Sequence, residues 1–246
     1  QDDKEEKMKG VRSLIKYAAL CDYMLVPTEE EQLPGGGAAP RLPEEIPGYG
    51  SRGWCRVEYF IFSLVAEMRG REFQFSGKND FGVPVGHVPG TGVQLYAIKR
   101  DGSLYHYPKL DIREKYMPSW GELSNPNDRA LVKELEDTMI EAYVPVIVER
   151  ECKAGAGGSV DLDGKMIRDC HVEALCEAVN KYEVKELFIS NNQLGDAGAN
   201  AIAAMLRTNR TLKELFMQNM TISEAARDAV MRCTYFRGGF LRDIVM

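Results

Sequence analysis

No run of 18 apolar residues occurs in the 246-residue sequence, so no membrane-spanning helix is expected. There is no C-x-x-C pair either. The six cysteines (Cys21, Cys55, Cys152, Cys170, Cys176, Cys233) are too scattered for a zinc site or a disulfide framework. His171 follows Cys170 with no second ligand pair nearby, so no metal is expected. Buried thiols in a reducing compartment account for these cysteines, which points to a cytoplasmic or similarly reducing location. A basic excess is also missing. Lys and Arg number 31 against 37 Asp and Glu, and the net charge of −6 argues against a general nucleic-acid binder. The glycines of Gly86-His87-Val88-Pro89-Gly90-Thr91-Gly92 do not make a G-x-G-x-x-G between a strand and a helix, which excludes a dinucleotide fingerprint. His87 and His106 have no triad company. The opening Gln1-Asp2-Asp3-Lys4-Glu5-Glu6-Lys7 has neither signal-peptide nor transit-peptide character. It begins without Met, so the chain is expected to be a piece of something longer.

What remains is the composition of a soluble globular protein, 44% hydrophobic and 28% charged, long enough for one large or two ordinary domains. The strongest positive signal is a duplication. Val184-Lys185-Glu186-Leu187-Phe188-Ile189-Ser190-Asn191-Asn192 is echoed by Leu212-Lys213-Glu214-Leu215-Phe216-Met217-Gln218-Asn219-Met220. An Ala-rich segment with helical spacing follows each copy. Self-similarity at such a period signals stacked units, none of which can bury its apolar side alone. A weaker copy lies upstream, where Val160-Asp161-Leu162 aligns with Leu187-Phe188-Ile189.

These residues resemble leucine-rich repeats of the ribonuclease-inhibitor type. Asn192-Gln193-Leu194-Gly195-Asp196-Ala197-Gly198-Ala199 follows that pattern almost letter for letter, and the resemblance covers about residues 159–233. It implies a short solenoid of parallel strands with outer helices. Leu162, Leu187, Ile189, Asn192, Leu194, Asp196 and Leu215 would be its structural positions. The leucines share one interior, Asn192 bonds the backbone of the turn, and Asp196 caps its own helix. Glu186, Phe188, Ser190, Glu214, Phe216 and Gln218 are expected on the concave side as a partner-binding surface. Residues 234–246 would fold back as a cap or dock on a neighbour.

Upstream, residues 4–20 read as an amphipathic helix, and Tyr23-Met24-Leu25-Val26 as a buried parallel strand ended by Pro27. The stretch 27–50, rich in proline and glycine, reads as an inserted loop. A helix follows from about Gly53 to Arg69, with Trp54, Val57, Ile61, Leu64, Val65 and Met68 on its apolar stripe. Within 93–107 a hairpin is expected, turning at Asp101-Gly102. Asn125-Pro126 opens a helix to about Tyr143. Val144-Pro145-Val146-Ile147-Val148 then reads as an edge strand, and Lys153–Gly158 as the domain boundary.

The pattern Ser51-Arg52-Gly53-Trp54-Cys55-Arg56-Val57-Glu58 resembles the Toll/interleukin-1 receptor (TIR) superfamily, and the Gln1-Asp2-Asp3 start is similar to its heterokaryon-incompatibility relatives. This resemblance covers about residues 1–70 and implies that 1–150 form an incomplete TIR-like α/β domain. In enzymatic members, the glutamate matching Glu58 serves cleavage of the nicotinamide–ribose bond of NAD, where a carboxylate can stabilise the cationic ribose.

An α/β chain of this kind is expected to bind rather than convert. The primary expectation is a protein-interaction scaffold or accessory subunit of a larger assembly, with protein partners and no cofactor. The alternative is a signalling NAD hydrolase with Glu58 as its catalytic carboxylate and NAD as substrate only.

Overall fold

The computed structural model describes residues 9–10, 13–17, 23–27, 51–69, 72–73, 92–98, 104–106, 117–236 and 243–246. The chain is mixed α/β and divides into two compact units, Gln1–Met139 and Ile140–Met246. Among the described residues, no helix is long and apolar enough to cross a membrane. Pro27 is the last residue of a strand, and the rest of the expected loop 27–50, the turn at Asp101-Gly102 and the Gly86–Gly90 stretch lie outside the described residues.

In the first unit, residues 9–10 and 13–17 are helical. Strand β1 (Tyr23–Pro27) pairs in parallel with β3 (Gly92–Ile98), in register from Tyr23↔Gln94 to Pro27↔Ile98. The short β2 (Glu72–Phe73) runs parallel to the start of β3, and β4 (Leu104–His106) pairs antiparallel with its end. Antiparallel β3 and β4 are the two arms of the expected hairpin.

Helix α1 (Gly53–Met68) follows the anticipated stripe but is buried well beyond it. Arg56, Val57, Tyr59, Phe60, Ile61, Phe62, Ser63, Leu64 and Val65 are all buried. Its start is held by backbone: the Gly53 N–H donates to Glu122 O at 2.7 Å, and the Glu122 N–H to Ser51 O at 2.8 Å. The approach is so close that a Cβ on Gly121 would lie 2.5 Å from Gly53 Cα, so only glycine fits there. Trp54 Nε1 donates to Asp128 Oδ2 at 3.2 Å, which pins the helix N-terminus from a second direction.

Asn125 accepts from the Asn127 N–H at 3.1 Å and opens a 3₁₀ turn, Pro126–Asp128, that leads into helix α2 (Arg129–Ala154). Here the sequence expectation is corrected. Val144–Val148 is no strand; α2 runs straight through it with Pro145 inside. An interior proline removes one helical hydrogen bond and costs about 3 kcal/mol. That cost is outweighed, because Met139, Ile140, Tyr143, Val144, Ile147, Val148 and Cys152 recur at helical spacing and are all buried. Each fully buried large apolar side chain contributes about 1.5–3 kcal/mol. The division into units falls within α2, ahead of the Lys153–Gly158 turn.

The second unit holds a parallel four-stranded sheet in the order β5-β6-β7-β8: Ser159–Asp161, Glu186–Phe188, Glu214–Phe216 and Asp243–Val245. Helices α3 (Val172–Lys181), α4 (Asp196–Thr208) and α5 (Glu224–Phe236) occupy the connections. Register places Val160, Leu187, Leu215 and Ile244 side by side, all buried. Leu162 is not in that row. It follows β5, with its N–H bonded to Phe188 O at 2.7 Å. Alternation turns one face of each three-residue strand inward. Beneath the sheet, Ile189, Leu194, Ile202, Leu206 and Met217 complete a core at 0–1% exposure.

The tail closes the sheet. β8 adds a fourth parallel strand, and the Met217 N–H donates to Val245 O at 2.8 Å. A signal for this was present. Leu241-Arg242-Asp243-Ile244-Val245-Met246 echoes Leu212-Lys213-Glu214-Leu215-Phe216-Met217, so the tail is a further strand of the same kind.

Candidate interaction surface

The outward side of the sheet is built by the same alternation that buries Leu187 and Leu215. Glu186 and Glu214 are register partners, and so are Phe188 and Phe216. All four are half-buried. The two rings stack with centroids 4.4 Å apart and planes 2° from parallel. Asp161 is the register partner of Phe188 on the other side, and Val245 that of Phe216. Four of the six expected surface residues therefore share one side, and Gln218 is exposed just past β7.

Ser190 does not join them, and this corrects the expectation. It is buried at 6% exposure, and its Oγ accepts from the Gln218 N–H at 3.0 Å. Strand alternation ends at Phe188, and beyond it the chain turns under the next copy. In the preceding copy Asp163 has the equivalent role, accepting from the Ser190 N–H at 2.5 Å. That carboxyl sits above its ordinary range because desolvation outweighs the backbone bond to Ser190; the charge of Asp161 adds to the rise.

Asn192 is buried and fully used. Its Nδ2 donates to the carbonyls of Leu162 (2.9 Å), Ile189 (2.8 Å) and Ser190 (3.3 Å), and its Oδ1 accepts from the Ile167 N–H at 2.9 Å. One amide thus serves backbone from two successive copies. The neighbouring Asn191 and Asn219 adopt left-handed backbone, φ 59° and 54°, which asparagine tolerates better than most residues. Asn219 Nδ2 donates to Asn191 Oδ1 at 3.0 Å.

Asp196 does not cap its own helix as expected. α4 begins at Asp196 itself, with Gly195 as N-cap residue. The carboxylate reaches forward instead, accepting from the Ser223 N–H, just before α5, at 2.7 Å. That bond holds its carboxyl below the ordinary range. Asp169 does likewise for α4, accepting from the Gly195 and Gly198 N–H groups. A Cβ on Gly198 would strike the Asp169 carboxylate, so a larger residue there would displace the group that bonds the helix start.

Glu58, the candidate catalytic carboxylate, is the exposed residue on an otherwise buried stretch of α1. Despite that exposure, partial desolvation by the surrounding chain raises its carboxyl above the ordinary range. Cys55, one turn earlier, is likewise raised, first by desolvation and then by Glu58, so it is a poor thiolate nucleophile. Among the described residues, no group of three or more His, Cys, Asp or Glu could hold a metal ion. The five described cysteines are free thiols; burial pushes Cys152 to about 12 and Cys176 to about 11.

Compared with known protein families and with curated proteins, the sequence matches none.

Proposed function

We propose that this chain is a protein-interaction scaffold or accessory subunit of a larger assembly. It binds through the outward side of the β5–β8 sheet, which we take to be a short array of leucine-rich repeats of the ribonuclease-inhibitor type. One observation carries this reading: the Phe188–Phe216 stack lies half-buried on the solvent side of strands whose opposite side is fully buried. Stacked aromatics on a rigid sheet provide contact area at little entropic cost, the usual makings of a binding hot spot. The finer reading of the first unit is an incomplete TIR-like domain, supported by the parallel β1 and by the Ser51–Glu58 pattern opening α1.

The alternative, NAD hydrolysis, rests on Glu58. Its exposure and its raised carboxyl favour keeping it as the second reading.

Affinity capture with the 246-residue chain tests the first reading against the second. Changing Phe188 and Phe216 together to Ser should abolish recovery of partners, with the far-ultraviolet circular dichroism unchanged. Equal recovery by the folded variant rejects this face. Consumption of NAD by the wild type, abolished by Glu58→Ala, would replace the scaffold reading with the enzymatic one.

A further inference from the structure

We infer that the occupant of this face is a cationic segment of a partner protein, one carrying lysine or arginine side chains along an extended stretch. The inference rests on the interaction reading above and names the partner's chemistry. The outward positions of β5, β6 and β7 are Ser159 and Asp161, Glu186 and Phe188, Glu214 and Phe216. Three of the six are carboxylates and none is basic. Register sets Glu186 beside Glu214, while Asp161 flanks Phe188.

Lys185 and Lys213 each stand one residue ahead of their strand, outside its alternating positions. Among the described residues, neither lysine forms an ion pair. Among the described residues, no ion pair engages Glu186, Glu214 or Asp161. Like charges in register on adjacent strands repel, so the row costs stability until a cation arrives.

The aromatic pair fits the same occupant. Two rings at 4.4 Å and 2° cover each other's inner π faces and leave apolar ring area outward. The aliphatic stem of lysine or arginine can lie along that area while its charged head reaches a carboxylate. An acidic partner would meet the carboxylate row, and a purely apolar one would strip it of water without compensation.

The test uses fluorescence anisotropy of a fluorescein-labelled ten-residue polylysine peptide, with polyglutamate as control. The folded chain should bind polylysine only, and more weakly at 0.2 M than at 0.02 M salt. Glu186→Lys with Glu214→Lys should lower affinity at least about tenfold, as like-charge contacts do. Glu186→Gln with Glu214→Gln serves where the reversal does not fold. Glu173→Lys with Glu177→Lys, on α3, makes the same net-charge change and should leave binding within about twofold. Equal losses from the two reversals, or no loss from the strand pair, overturn the inference. If polylysine binding ignores Glu186 and Glu214 while Phe188 and Phe216 still govern partner recovery, the interaction surface stands and only its cationic occupant falls.

Discussion

Asp169 Oδ1 lies 2.8 Å from the Gly195 N–H nitrogen, 26 residues ahead of it, and 3.0 Å from that of Gly198. One exposed carboxylate therefore closes the start of a helix that belongs to the next copy. Replacing Asp169 with Ala should lower stability by about 1 kcal/mol, the usual cost of a lost cap. Urea unfolding followed by circular dichroism reads this directly, and an unchanged midpoint would refute the capping role.

Asn192 should be far less forgiving. Its removal by Asn192→Ala leaves the Ile167 N–H and the carbonyls of Leu162 and Ile189 without their side-chain partner in a dry interior. The cost should be on the order of 3 kcal/mol, since an orphaned buried polar group forfeits its solvation. Asn192→Asp should be as damaging, because a carboxylate cannot donate to the two carbonyls. Both are measured as urea midpoints.

Pro145 sits exposed inside α2, where it supplies no N–H to the helical ladder. Pro145→Ala should therefore raise the urea midpoint, by about 1–3 kcal/mol in stability terms. A strand at 144–148 would give no such gain. Loss of stability in this variant would mean the helix needs its proline.

His171 gives a pH dependence whose sign follows from its surroundings. It is buried, accepts from the Arg168 N–H at Nδ1 (3.1 Å), and its Nε2 has no hydrogen-bond partner among the described residues. Its pKa falls below the ordinary 6.5, first through desolvation, then through the Arg168 charge, with Glu141 opposing. The unfolded chain thus binds the proton more readily than the folded one. Stability should decline as pH drops from about 6.5 toward the lowered folded value, and level off below it. His171→Asn should flatten the slope between about pH 5 and 7, a window above the ordinary carboxylate range. An unchanged slope in urea midpoints across that window would rule His171 out as its source.

Much of the second unit was legible because its information is local and periodic. The alternation of Leu187 and Ile189 with Phe188, the Ala-rich helices, and an asparagine placed to bond a turn all appear as letters at fixed spacing. Failures arose where a distant partner decides the outcome. Ser190 and Asp196 have ordinary roles by local rules, yet each bonds backbone 27 or 28 residues on. Val144–Val148 combines β-branched residues with a proline, a local argument for an edge strand. Burial at the helical positions Tyr143, Val144, Ile147 and Val148 overrules it. In the first unit the burial of α1 on nearly every side exceeds what its stripe alone announced.

The forward reach of Asp169 and Asp196 also bears on how such a row can be lengthened or trimmed. The modules are not interchangeable bricks, because the polar group that seals each one is encoded in its predecessor. A graft that begins at Gly195 would leave its first amides without an acceptor, whereas one that begins before Asp169 brings the seal with it. Donor segments for building longer arrays should be cut one carboxylate early.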